Sequence, residues 1–110
     1  MQNASTALGW ASYVAVAASL AASPASAAGG ERALGEHLAS ECATCHLTSG
    51  RQVGGIPAIV GQPADQFVAL MSAYRERQRD YQVMQAIAAR LSTEEFAALA
   101  AYYESLKSTP

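Results

Sequence analysis

The chain has 110 residues, 51% of them hydrophobic and only 15% charged, with a formal net charge of −2. That balance argues against nucleic-acid binding, which favours a strongly basic domain. Only two cysteines are present, Cys42 and Cys45, and both lie in one short motif.

The amino terminus reads as an export signal. Residues 1–30 contain no Asp, Glu, Lys or Arg, and every formal charge lies from Glu31 onward. Leu8 to Leu20 is a run of small and apolar residues, short for a membrane span and suited to the hydrophobic stretch of a signal peptide. Ala25-Ser26-Ala27 supplies an A-x-A cleavage pattern, so residues 1–28 are expected to be removed near Ala27 or Ala28. Met1 to Ala7 lacks the usual Lys or Arg, and an uncleaved membrane anchor is the alternative reading. Residues 29–110 then form one small domain without stable membrane insertion. A domain of that size buries too little surface to be comfortably stable alone.

Glu31 to Cys42 carries Leu34 and Leu38 one turn apart and is expected to be a short helix leading into Cys42-Ala43-Thr44-Cys45-His46. A C-x-x-C-H run reads as a c-type haem attachment site. Two thiols about one helical turn apart suit the two vinyl groups on one edge of a haem, each of which can become a thioether. The histidine that follows can then coordinate the iron through a neutral ring nitrogen. Other uses of the motif fit less well. A structural zinc site needs four ligands, and there is no second cysteine pair. A redox dithiol expects a strand–helix context that is missing here, and a disulfide across two residues would close a strained loop without needing the histidine. Attachment of haem in bacteria takes place outside the cytoplasmic membrane, so the motif and the export signal predict each other. A large, mostly apolar cofactor would also supply the centre of a small core.

Thr48 to Gln62 is expected to be loop, broken by Gly50, Gly54, Gly55, Pro57 and Gly61. Pro63 suits the first turn of a helix, with Phe67, Leu70, Met71 and Tyr74 following at i, i+3, i+4, i+7. Tyr81 to Gln85 reads as a second loop and Ala86 to Leu91 as a short helix. Ser92 opens a capping box with Glu95, starting a last helix with Phe96, Leu99, Ala100 and Tyr103 on one face. No strand pattern is present, so the fold class is all-α.

Over residues 31 to 107 this arrangement resembles the monohaem class I cytochromes c, in which short helices and loops wrap one covalently bound haem. The stretch Ile56-Pro57-Ala58-Ile59-Val60-Gly61-Gln62, with Arg79, Met84 and Leu99-Ala100-Ala101-Tyr102-Tyr103, is similar to small bacterial periplasmic members. These include free electron carriers and the cytochrome subunits of sulfide-oxidising flavocytochromes. The resemblance implies haem c as the one cofactor, Cys42 and Cys45 as its covalent attachment points, and His46 as an axial ligand. It also implies a methionine sulfur as the second axial ligand. Met84 matches the family's position, whereas Met71 falls on an apolar helix face where methionine is usually core filler. Pro57 is implied to offer its backbone carbonyl to the free ring N–H of His46.

With both axial positions filled by protein, the resemblance implies a periplasmic electron carrier and not an enzyme, meeting redox protein partners transiently or within a complex. A haem subunit of a dehydrogenase is the main alternative, and a gas binder or sensor a further one. His37 is expected to face water. Arg75, Arg77 and Arg79 form either a solvated helix end or a cluster for an acidic partner or a haem carboxylate. The tyrosines at 74, 81, 102 and 103 are expected mainly to pack. Departures from the family pattern are Leu47 after the motif, Arg77 where a helix-ending glycine is common, and Asp80 where several members have proline. Leu34 stands where a small residue commonly lets the terminal helices cross, with Gly35 next door as a substitute.

Overall fold

The computed structural model describes residues 9, 12, 14–18 and 24–107, with the backbone alone for residues 24–30. Most of the segment expected to be a signal therefore lies outside the described residues. Four helices follow in order: α1 (Pro24–Cys42), α2 (Ala64–Arg75), α3 (Gln82–Ala89) and α4 (Thr93–Ser105). Among the described residues the only β-pairing is one isolated bridge, between Val53 and Ile56. The chain is all-α, as its periodicity predicts. No helix among the described residues is long and apolar enough to cross a membrane.

α1 begins seven residues earlier than the Glu31 start expected from periodicity. Ala25-Ser26-Ala27-Ala28 has no apolar stripe to betray a helix, yet alanine is the best helix former and Pro24 suits a first helical position. α1 and α4 cross at Gly35. A Cβ on this buried residue would lie 2.0 Å from the Ala98 carbonyl oxygen, so only glycine allows the two backbones to approach this closely. Leu34 is 44% exposed, and the crossing uses its neighbour instead.

Pro63 precedes α2 as its cap residue rather than lying inside the first turn. Its carbonyl accepts from the Phe67 N–H at 3.0 Å, and Glu104 of α4 accepts from the Ala64 N–H. Phe67 and Met71 are buried, and the Phe67 ring stacks on Tyr103 with centroids 5.7 Å apart. α2 ends in a Schellman motif. The Gln78 N–H reaches the Ala73 carbonyl at 2.8 Å and the Arg77 N–H reaches the Tyr74 carbonyl at 3.1 Å. This places Arg77 at φ 60°, the left-handed region usually given to glycine.

α4 opens with the capping box expected of Ser92 and Glu95: the Glu95 N–H donates to Ser92 Oγ, and the Ser92 N–H donates to Glu95 Oε1. Its buried face carries Phe96, Leu99, Ala100 and Tyr103, joined by Ala98. Phe96, Leu99, Ala100 and Tyr103 meet Ala39 of α1, Phe67 and Met71 of α2, Ala88 of α3 and Val60 of the central loop in one core.

Candidate haem-binding site

The histidine end of the site is built by the exit from α1. The Ala43 N–H donates to the Ala39 carbonyl at 3.0 Å, then the Cys45 and His46 N–H groups both return to the Cys42 carbonyl, at 3.1 and 2.9 Å. This tight turn carries Cys45 and His46 around the helix end. Cys42 is half-buried, Cys45 exposed and His46 buried. Burial pushes the Cys42 thiol above its ordinary value, against a smaller downward pull from the Tyr103 hydroxyl beside it. Burial likewise pushes the Tyr103 phenol well up.

The central loop closes over that turn. His46 Nδ1 lies 2.8 Å from the Pro57 carbonyl oxygen. A carbonyl can only accept, so the ring donates from Nδ1 and leaves Nε2 as its unprotonated nitrogen when neutral. The loop is tied to α4 by the Gly61 N–H, which donates to the Tyr103 carbonyl at 2.9 Å. Gly61 adopts φ 76°, which glycine accepts without strain.

The methionine end differs from expectation. Tyr81 to Gln85 is not a loop: α3 starts at Gln82, so Met84 lies on the helix. The helix has no side-chain cap at Tyr81 to announce it. Its start is held by Gln85, whose backbone N–H reaches the Tyr81 carbonyl at 3.0 Å and whose side-chain amide reaches the Arg79 carbonyl at 2.8 Å. Met84 is half-buried. A cavity of about 500 Å³ brings the two ends together, with Cys42, Cys45, His46, Pro57 and Met84 all in its lining.

The chain is 38% identical over 80 residues to cytochrome c-554(548) of Halomonas halodenitrificans, an alignment covering 69% of this chain and 96% of that protein. The chain belongs to the cytochrome c family. No family model matches it. Membership makes this cytochrome c a protein of haem-based electron transport, with covalently bound haem, and not an enzyme.

The residues present fit such a group. The rest of the cavity wall is mainly apolar, including Ile59, Phe67, Leu70 and Ile87. The donors around it are two thiols, an imidazole with its Nδ1 already engaged, and a thioether. Among the described residues no three His, Cys, Asp or Glu side chains group to hold a bare metal ion. Met71 also lines the cavity but is 6% exposed and packed within the core of this cytochrome c.

The three arginines separate. Arg75 is held by α4 and the turn before it: its guanidinium lies 4.5 Å over the Phe96 ring and reaches the Leu91 carbonyl and Thr93 hydroxyl. Arg77 is exposed at the end of α2. Arg79 alone of the three lines the cavity, with its guanidinium 5.1 Å over the Tyr74 ring. His37 is exposed on α1, away from the cavity lining. Gln85 is the site-supporting residue that sequence reasoning missed. A glutamine within Gln82–Ala89 has no periodic signal to mark it, and its partner is a backbone carbonyl.

Proposed function

We propose that this cytochrome c is a periplasmic carrier of single electrons with one haem, attached through Cys42 and Cys45 and ligated by His46 and Met84. The observation that carries this reading is the shared cavity, which gathers both thiols and the histidine from the exit of α1 and the methionine from α3. The bound haem would supply an iron that cycles between ferric and ferrous states.

The chain's own residues determine how that iron is used. His46 donates from Nδ1 to the Pro57 carbonyl, which fixes the ring and raises the basicity of Nε2. Met84 offers a soft thioether, which favours the ferrous state and raises the potential. Two protein ligands leave no position for a substrate, so electron transfer is favoured over oxygen chemistry. The apolar walls exclude water, and Arg79 is the arginine suited to pair with a haem carboxylate.

Partners would be redox proteins meeting this surface in small, transient contacts. Residues 1–28 act as the export signal in this reading, and 29–110 as the functional domain. Cleavage near Ala27 or Ala28 would trim the first turn of α1.

The test replaces each methionine in turn. Met84→Ala is expected to abolish the sulfur-to-iron charge-transfer absorption of the oxidised protein and to admit carbon monoxide to the reduced protein. Met71→Ala keeps both properties of the parent. Retention of the absorption in Met84→Ala sinks the assignment.

A further inference from the structure

Gln85 is a polar side chain only 8% exposed, and none of the ligand chemistry above uses it. Its two hydrogen bonds, from side chain to the Arg79 carbonyl and from backbone to the Tyr81 carbonyl, grip the segment that enters α3 at two successive points. The other end of Arg79 is also held, by its guanidinium over Tyr74 of α2. The preceding residues are fixed by the Schellman turn through Arg77 and Gln78. The whole connection from α2 to α3 is thereby pinned at both ends. Met84 is the immediate neighbour of the residue that makes the last of these attachments. Tyr81 provides no side-chain cap, so the tether for the first turn of α3 comes from within the helix.

We propose that Gln85 is a positioning residue: its side-chain amide clamps the Arg79 carbonyl and so holds the first turn of α3, with Met84, against the cavity. This rests on Met84 being the second axial ligand. For an external ligand to reach the iron, Met84 must leave, and its leaving requires this segment to open. Loss of one buried hydrogen bond is expected to raise the opened population about tenfold, equivalent to about 1.4 kcal/mol.

The experiment titrates the oxidised full-length holoprotein with imidazole and follows the sulfur-to-iron charge-transfer absorption. Gln85→Leu removes the donor at similar size, and Gln85→Glu keeps the length while replacing the amide with an acceptor. Each is expected to lose the absorption at about one-tenth of the imidazole concentration needed by the parent. If Gln85→Leu fails to retain haem, Gln85→Glu carries the test. Ser92→Ala, which loosens the α4 cap by about as much in stability, is expected to titrate like the parent. An unchanged titration in the Gln85 variants, or an equal shift in Ser92→Ala, overturns the clamp. In either case loss of the absorption in Met84→Ala leaves the ligand assignment standing. Retention of the absorption in Met84→Ala removes the ligand assignment and the clamp together.

Discussion

The histidine side and the methionine side of the cavity are built by opposite means. On the histidine side, Cys42, Cys45 and His46 are carried by one turn whose hydrogen bonds reach back four residues at most. On the methionine side, Met84 stands on a helix that starts without a side-chain cap and is held by Gln85, Arg79 and Tyr74. The proposed covalent attachment is thus written into five consecutive residues. The proposed second ligand needs tertiary structure to be in place before the residue means anything.

The histidine side is nonetheless not self-sufficient, and Gly35 provides the strongest way to show it. In an isolated helix Gly35→Ala would be worth about 1 kcal/mol of stabilisation. In this fold the new Cβ would meet the Ala98 backbone oxygen at 2.0 Å, where no side chain can yield. The helices must separate, and overpacking of this kind typically costs about 1–3 kcal/mol, here at the upper end. Chemical denaturation is expected to show a loss of about 3 kcal/mol. A gain would mean that α1 and its motif stand without α4.

That asymmetry also accounts for what could be read before the structure. The α2 stripe of Phe67, Leu70, Met71 and Tyr74 and the Ser92–Glu95 capping box are local patterns: Phe67 and Met71 of the stripe are buried, Leu70 and Tyr74 half-buried, and the box forms. The helix crossing was legible only to within one residue, because Leu34 and Gly35 differ in role through their angle to α4 and not through anything nearby in sequence. The start of α3 carries no local signal because its tether is a side chain bonding back to a carbonyl six residues earlier. The early start of α1 is invisible to periodicity because Ala25 to Ala28 offers helix propensity without an apolar stripe.

A smaller effect, of opposite sign, belongs to the methionine side. Arg77 occupies the left-handed position that closes α2, at φ 60°. A non-glycine residue there costs roughly 1–2 kcal/mol of conformational energy, and the greater chain freedom of an unfolded glycine offsets part of any gain from replacing it. Arg77→Gly is expected to stabilise the protein by about 0.5 kcal/mol, read as a higher denaturation midpoint with an unchanged slope. The hydrogen bonds of the Schellman turn use backbone groups alone and survive the substitution. Destabilisation would instead assign the Arg77 side chain a contact that its exposure does not suggest.

The smallest expected effect tests how the two sides are joined. Arg90, the residue capping the end of α3, pairs with Glu41, the residue just before Cys42. This ion pair spans the two sides directly, yet its side chains are 62% and 52% exposed. Water screens such a pair, and holding two long side chains together costs them rotamer freedom. Arg90→Ala should therefore cost no more than about 0.5 kcal/mol, with a difference that fades at high salt. Beneath that surface pair, Phe96, Leu99 and Tyr103 of α4 share one core with Ala39 of α1, Met71 of α2 and Ala88 of α3. If Arg90→Ala proves nearly silent while Gly35→Ala does not, the buried face of α4 is what holds the histidine and methionine sides in register. A cost of 2 kcal/mol or more for Arg90→Ala would move that coupling to the surface.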